Sequence, residues 1–214
     1  MLSTASFLTL GFLLGMRHAA DPDHVVAVAT IVSGRTGVLR ASAIGALWGI
    51  GHTATLLLVG GAILLFELAI PPRLGLGLEF AVAVMLVVLG VRSLLTHEHA
   101  HGARQDATRP LAVGFVHGLA GSAFVAMLVL TRIHEPVVGL LYLLVFGVGT
   151  MAGMAAVTAA IAVPSAFALA RFGHGGRHLR VGAGLVSVAF GLFLAHRIGV
   201  VDGLFGANPT WAPH

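Results

Sequence analysis

Long apolar stretches alternate with short polar connections, and this pattern constrains the fold more than any other feature of the chain. Six apolar segments lie at about 3–33, 39–68, 76–96, 110–131, 136–164 and 179–200. A helix needs roughly 20 apolar residues to cross the hydrocarbon core of a bilayer. Backbone groups in lipid must also be satisfied internally, as they are in a helix. The sequence therefore predicts an all-α integral membrane protein with about six transmembrane helices.

The composition supports a membrane location and excludes several other classes of protein. Of 214 residues, 57% are hydrophobic and only 9% are charged, whereas soluble domains carry about 25% charged residues. The net charge of +4 comes from arginines that mostly lie between the apolar segments, which is typical of membrane topology and not of nucleic-acid binding. The absence of cysteine excludes thiolate metal sites and disulfides. We expect a multi-pass protein of a cell membrane, most simply a bacterial inner membrane, with the lipid bilayer as a partner.

The arginine distribution predicts an orientation for a single polytopic domain over residues 1–214. Arginine marks cytoplasmic loops. The second and fourth loops each contain one arginine, whereas the first, third and fifth contain seven: Arg35, Arg40, Arg104, Arg109, Arg171, Arg177 and Arg180. We therefore expect both termini outside and a cytoplasmic, histidine-rich third loop at about 97–109.

Ionisable residues interrupt the first apolar segment at the depth of the membrane. Arg17, His18, Asp21, Asp23 and His24 lie within eight residues of one another. Each charged side chain at that depth costs roughly 2.5–3.5 kcal/mol on insertion scales, so such a cluster indicates a functional site.

A straight helix does not bring these groups together. His18 and His24 would point about 120° apart on an ideal helix. Pro22 lacks an N–H and clashes with the preceding turn, so it is expected to break the helix. Two imidazoles and two carboxylates around a break make a candidate divalent-cation site, with donors that suit nickel, cobalt, zinc or manganese. Asp21 has a second interpretation as the ion-pair partner of Arg17, four residues earlier.

Two motifs in this region resemble a known family. Arg17-His18-Ala19-x-Asp21-x-Asp23-His24 resembles the signature of the nickel/cobalt permease superfamily, whose core is His-x4-Asp-His, and Gly51-His52-Thr53 resembles its second motif. The chain is similar in form to the smaller urease-accessory-type nickel permeases. The resemblance implies transport of Ni²⁺ or Co²⁺ as substrate, with no resident cofactor and with His18, Asp23, His24 and His52 as metal ligands.

An internal repeat adds a sixth candidate ligand. Residues 15–19 align with 114–118 at an offset of 99, residues 48–53 with 146–151 at 98, and Gly90 with Gly191 at 101. Because each unit has an odd number of helices, the second unit enters the membrane with the opposite orientation. Inverted repeats of this kind occur in transporters whose site lies at the midplane on broken helices. We therefore predict two inverted three-helix repeats, at about 3–97 and 110–200. His117 takes the position equivalent to His18 and becomes a further candidate ligand.

A histidine-rich tract at residues 97–101 leaves other functions open. Its His-Glu-x-x-His pattern occurs in zinc proteases, although in a polar loop it is more typical of a tract that collects metal weakly. The alternatives are an intramembrane zinc metalloprotease, a haem-type membrane enzyme with ligands such as His52 and His117, and a non-transporting protein that delivers metal to a partner. The primary prediction is a permease, not an enzyme, for a divalent metal cation. A homo-oligomer is compatible with the sequence.

Overall fold

The fold is a bundle of α-helices in a computed structural model that describes residues 4–33, 37–66, 68, 70–95, 107–119, 135–172 and 175–211. Within these residues there are seven α-helices, in chain order α1 Thr4–His18, α2 Pro22–Val32, α3 Val38–Phe66, α4 Pro72–Leu95, α5 Thr108–Gly118, α6 Pro136–Phe172 and α7 Gly175–His196. A π-helical turn at Arg197–Val201 continues α7.

Four of these helices are long and apolar enough to cross a membrane. The spans are Val38–Phe66, Pro72–Leu95, Pro136–Ala168 and Gly176–Val201, and Pro22–Val32 is a shorter apolar helix. Four such helices in one chain are typical of a multi-pass membrane protein. The fourth predicted segment, 110–131, is represented by α5 alone, since residues 120–134 lie outside the described part. The histidine-rich tract at 97–101 also lies outside it, so neither the protease motif nor a count of six spans is tested.

The predicted break in the first segment is present. α1 ends at His18 and α2 begins at Pro22. Proline suits the first position of a helix because the N–H that it lacks has no intrahelical partner there. A tight turn joins the two helices, in which the Asp21 N–H donates to the His18 carbonyl at 3.0 Å.

The fifth predicted segment and α6 end at different residues. The segment was expected to end at about residue 164, yet α6 continues past Pro164 to Phe172. The hydroxyl of Ser165 donates to the Ile161 carbonyl at 2.9 Å. Pro164 therefore lies inside α6 and does not terminate it.

Glycines bring the helices into backbone contact, and these contacts come in reciprocal pairs. α1 packs against α6, α5 against α3, and α4 against α7. A Cβ at Gly15 would overlap the Phe146 carbonyl, and a Cβ at Gly114 would overlap the Trp48 carbonyl. Further pairs follow the same scheme: Gly51 with Leu111, Gly149 with Phe12, Gly90 with Gly184, and Gly191 with Ala83. The α1–α6 and α5–α3 contacts therefore share one arrangement, in which a glycine of each helix lies against a backbone carbonyl of the other.

Candidate metal centre

Four histidine rings meet inside the bundle at the break between α1 and α2. His18 ends α1, His24 lies in the first turn of α2, His52 is in the middle of α3, and His117 is near the end of α5. The His24 ring centroid lies 4.6 Å from that of His18, 5.3 Å from His52 and 4.3 Å from His117. All four side chains are buried. The rings of three separate helical segments thus surround His24.

His18 is oriented by Asp21. The Nδ1–H of His18 donates to Asp21 Oδ2 at 2.7 Å, which leaves the His18 Nε2 lone pair directed away from the carboxylate. A carboxylate behind a ligating imidazole fixes the ring orientation and raises its basicity. No described ion pair joins Asp21 to Arg17, which is exposed. The ion-pair interpretation of Asp21 was therefore wrong, and Asp21 acts on His18.

His24 is oriented by the main chain. Its Nδ1–H donates to the His18 carbonyl at 2.8 Å. Because a carbonyl oxygen only accepts, the proton of the neutral ring must be on Nδ1 and the lone pair on Nε2. That Nε2 atom is buried and has no hydrogen-bond partner among the described residues. A buried acceptor without a partner is costly, and the Nε2 lone pair of His24 is available to bind a ligand.

His117 is held in the same way by the second carboxylate of the signature. Its Nε2 lies 2.9 Å from Asp23 Oδ2. The opposite atom, His117 Nδ1, is buried and has no partner in the described part of the chain. Asp23 also lies in the first turn of α2, one residue before His24. The second carboxylate thus links α2 to the end of α5.

The donor atoms form two groups with the spacing of metal ligands. His18, His24 and His52 form one, and Asp23, His24 and His117 form the other, with the atoms of each group within 4.8 Å of one another. Donors bound side by side at 2.0–2.1 Å from one ion are separated by about 3.0–3.4 Å. The Nε2 atoms of His18 and His52 are 3.1 Å apart. Five of the six predicted ligands belong to these groups, and the sixth, Asp21, contacts His18 from outside them. Metal binding by these residues stays a prediction.

The same geometry counts against a haem between His52 and His117. Their ring centroids are 6.1 Å apart, which would suit two axial ligands on one iron. The ring of His24, however, packs against both of them. A porphyrin plane has no space between rings that a third imidazole already contacts.

Two aromatic residues that were not predicted as site residues flank the centre. Trp48 meets His24 and His117 edge-on, at 5.7 and 5.5 Å between ring centroids. Phe146 lies 5.6 Å from His18. Trp48 and Phe146 align with each other in the internal repeat at an offset of 98, and this alignment was the signal that could have identified them.

A cavity of about 350 Å³ opens beside the centre. Asp21 and Asp23 line it from the helix break, Glu79 from α4 and Arg197 from the π-helical turn, together with apolar residues of α7 such as Phe193. The side chains of Asp21 and Asp23 are 35% and 17% exposed, so the carboxylates that orient the histidines also face this space. The cavity was hardly predictable from the sequence, because Glu79 and Arg197 are single charged residues within apolar stretches and belong to no motif.

Known proteins similar to this chain include one of nearly the same length. The urease accessory protein UreH of Bacillus sp. (strain TB-90) is 38% identical over 217 aligned residues, which cover 94% of this chain and 95% of that protein. No family profile and no solved structure matches the chain.

Two plant proteins are similar over part of their length. Chloroplast protein FOR GROWTH AND FERTILITY 2 of Arabidopsis thaliana is 29% identical over 171 residues, 69% of this chain and 45% of that protein. FOR GROWTH AND FERTILITY 1 of the same plant is 27% identical over 176 residues, 71% of this chain and 48% of that protein. The match to UreH, in contrast, extends over nearly the whole of both chains. This protein belongs to the family of the urease accessory protein UreH.

Proposed function

We propose that this protein transports a divalent transition-metal cation across the membrane, with nickel as the first candidate substrate and cobalt as the second. The cation binds in the histidine centre at the helix break. The observation that carries the proposal is the buried Nε2 of His24, a lone pair with no described partner in the midst of three other imidazoles. A cation that accepts this lone pair removes the cost of leaving it unpaired.

The charges around the centre suit a divalent cation. A bare cation is costly to bury unless opposite charge lies close to it. Asp21 and Asp23 supply two carboxylates, each within hydrogen-bond distance of a ring in the centre. Their combined charge offsets that of one divalent ion, while imidazole nitrogens provide the donors that nickel and cobalt favour.

Family membership favours transport or an accessory role over enzymatic activity. The relative that matches over nearly the whole chain is named a urease accessory protein, and the motifs at His18–His24 and Gly51–Thr53 resemble those of nickel/cobalt permeases. Nickel is therefore the first substrate to test. A bacterial inner membrane fits the bacterial source of that relative.

The reciprocal glycine contacts support two inverted repeats. Gly15 lies against Phe146 and Gly114 against Trp48, and the repeat alignment exchanges the members of these two pairs. Inverted repeats around a central site allow alternating access, in which one repeat moves against the other. The cavity lined by Glu79 and Arg197 is then the route by which the cation reaches the centre from one side.

Flux of radioactive nickel into vesicles that contain the purified protein tests the proposal. We expect the wild type to transport nickel and His24→Ala to lose flux down to the level of empty vesicles, because His24 is adjacent to every other ring. His178→Ala is the matched control, since His178 is an exposed histidine near the start of α7. Equal flux in the wild type and His24→Ala would show that the cation does not use this centre.

A further inference from the structure

The two groups of donor atoms share one residue. His24 belongs both to the group with His18 and His52 and to the group with Asp23 and His117. It also has one atom to offer, because the His18 carbonyl occupies its Nδ1 at 2.8 Å. A single nitrogen thus serves both groups, and they cannot each hold an ion at the same time.

The other donors lie in pairs that belong to different groups. A hydrogen bond joins His18 Nε2 to His52 Nε2 at 3.1 Å, and another joins His117 Nε2 to Asp23 Oδ2 at 2.9 Å. An ion that binds either pair replaces the proton that the two atoms share. His52 and His117 have the most widely separated rings of those measured in the centre, with centroids 6.1 Å apart. A small ion that is bound closely by one pair is therefore too far from the other pair to bind it. His24 can bind the ion next to either pair.

We propose that the centre provides two mutually exclusive positions for one divalent cation, and that the cation moves from one to the other while it stays bound to His24. This inference rests on the transport function proposed above. One position is formed by His18, His24 and His52, and the other by Asp23, His24 and His117. A shared ligand means that the ion exchanges its other ligands without returning to water between the two positions.

The two positions differ in chemistry and in their place in the repeat. The first offers three neutral imidazoles, whereas the second adds the negative charge of Asp23. His18 and His117 are equivalent in the repeat alignment, so each position contains one of these two repeat-related histidines. The move along His24 passes the ion from one histidine to the other.

The experiment compares equilibrium binding with flux in the same purified variants. Nickel binding is measured by dialysis in lipid nanodiscs, and flux in vesicles, for the wild type, His52→Ala, His117→Ala and His24→Ala. We expect one nickel ion per wild-type chain. His52→Ala and His117→Ala each retain one position, so each binds one nickel ion with an affinity reduced no more than about tenfold, while flux falls about ten- to hundredfold. His24→Ala loses both binding and flux.

Absorption spectroscopy shows whether each variant still binds metal in one defined position or has lost its structure. Bound Co²⁺ reports its ligands by visible absorption. We expect different spectra in the two variants, because His52→Ala confines cobalt to the position with Asp23 and His117→Ala confines it to the three-imidazole position. His52→Gln and His117→Gln, of similar size and polarity, serve if an alanine variant does not elute as a folded protein.

Several outcomes would overturn the shared-ligand inference and leave transport intact. These are two nickel ions per wild-type chain, loss of binding in both His52→Ala and His117→Ala, identical cobalt spectra in the two variants, or full flux in either of them. Absence of nickel binding and flux in the wild type would instead contradict the proposed function itself.

Discussion

The Nε2 atoms of His18 and His52 face each other at 3.1 Å in the buried centre, although the two residues are 34 positions apart in the sequence. His18 presents this atom because Asp21 holds its opposite nitrogen at 2.7 Å. The contact between α1 and α3 therefore depends on three side chains, and each can be tested.

Replacement of His18 by alanine should abolish nickel flux without removing the protein from the membrane. The variant loses the His18 Nε2 donor. It also loses the hydrogen bond through which Asp21 contacts the centre. We expect a decrease of at least about a hundredfold in flux, measured in vesicles at equal protein content. Flux within twofold of the wild type would contradict the metal-centre interpretation.

Asp21→Asn should weaken nickel transport because an amide no longer offers a charged acceptor to the Nδ1–H of His18. Loss of such a partner behind a metal ligand typically costs about ten- to hundredfold in affinity or activity. Arg17→Gln is the matched control, since Arg17 is exposed and forms no described ion pair with Asp21. If Arg17→Gln were as damaging as Asp21→Asn, the assignment of Asp21 to His18 would be incorrect.

Glu79→Gln should raise the nickel concentration needed for half-maximal flux by about two- to fivefold at low ionic strength, with little change in maximal flux. A negative lining concentrates cations near a cavity. Glutamine keeps an oxygen that can accept the hydrogen bond from Trp211, which lies 2.9 Å from Glu79 Oε1. Glu135→Gln, at an exposed position before α6, should leave the concentration dependence unchanged. The effect of Glu79→Gln should also shrink as salt is added.

Gly15→Ala and Gly114→Ala should each destabilise the bundle by about 1–3 kcal/mol, since an added methyl group would overlap a backbone carbonyl. Gly77→Ala is the control, because a Cβ at Gly77 meets no atom within 4 Å. That change should be neutral or stabilising by up to about 1 kcal/mol. Thermal unfolding in detergent measures the difference, and equal stability of all three variants would contradict the close helix packing.

Nickel should raise the thermal unfolding temperature of the wild type and of His178→Ala, but not of His24→Ala. A ligand that binds only the folded state at a concentration of about a hundred times its Kd adds about 2.7 kcal/mol of stability. Magnesium at the same concentration should have little effect, because it prefers oxygen ligands. A similar rise for nickel in His24→Ala would place the ion elsewhere.

The apolar pattern was sufficient to predict a helical membrane protein, and Pro22 was sufficient to predict the break between α1 and α2. Six polar residues that lie together in the structure were also singled out from the sequence, four by their spacing around Pro22, His52 by its motif and His117 by the repeat, and their role as metal ligands stays a prediction. The different hydrogen-bond partners of these residues were not predictable. Which nitrogen of each ring is held by a carboxylate or a carbonyl depends on how α3 and α5 pack against the break.

Other features could not be read from the sequence because they depend on contacts between distant segments. The cavity joins Glu79 of α4 to Arg197 of the π-helical turn, and neither residue lies in a motif. The end of the fifth segment was misplaced for a similar reason, because the sequence does not reveal whether a membrane helix continues past a proline such as Pro164.

The way in which His24 is oriented has a consequence for how this centre can change during evolution. Asp21 and Asp23 hold His18 and His117 through side chains, so single substitutions can alter the basicity of those two rings and thereby adjust metal preference. His24 takes its orientation from the main-chain carbonyl of His18, which every residue at that position would supply. Substitutions of Asp21 or Asp23 can therefore accumulate while the hydrogen bond that orients His24 stays in place.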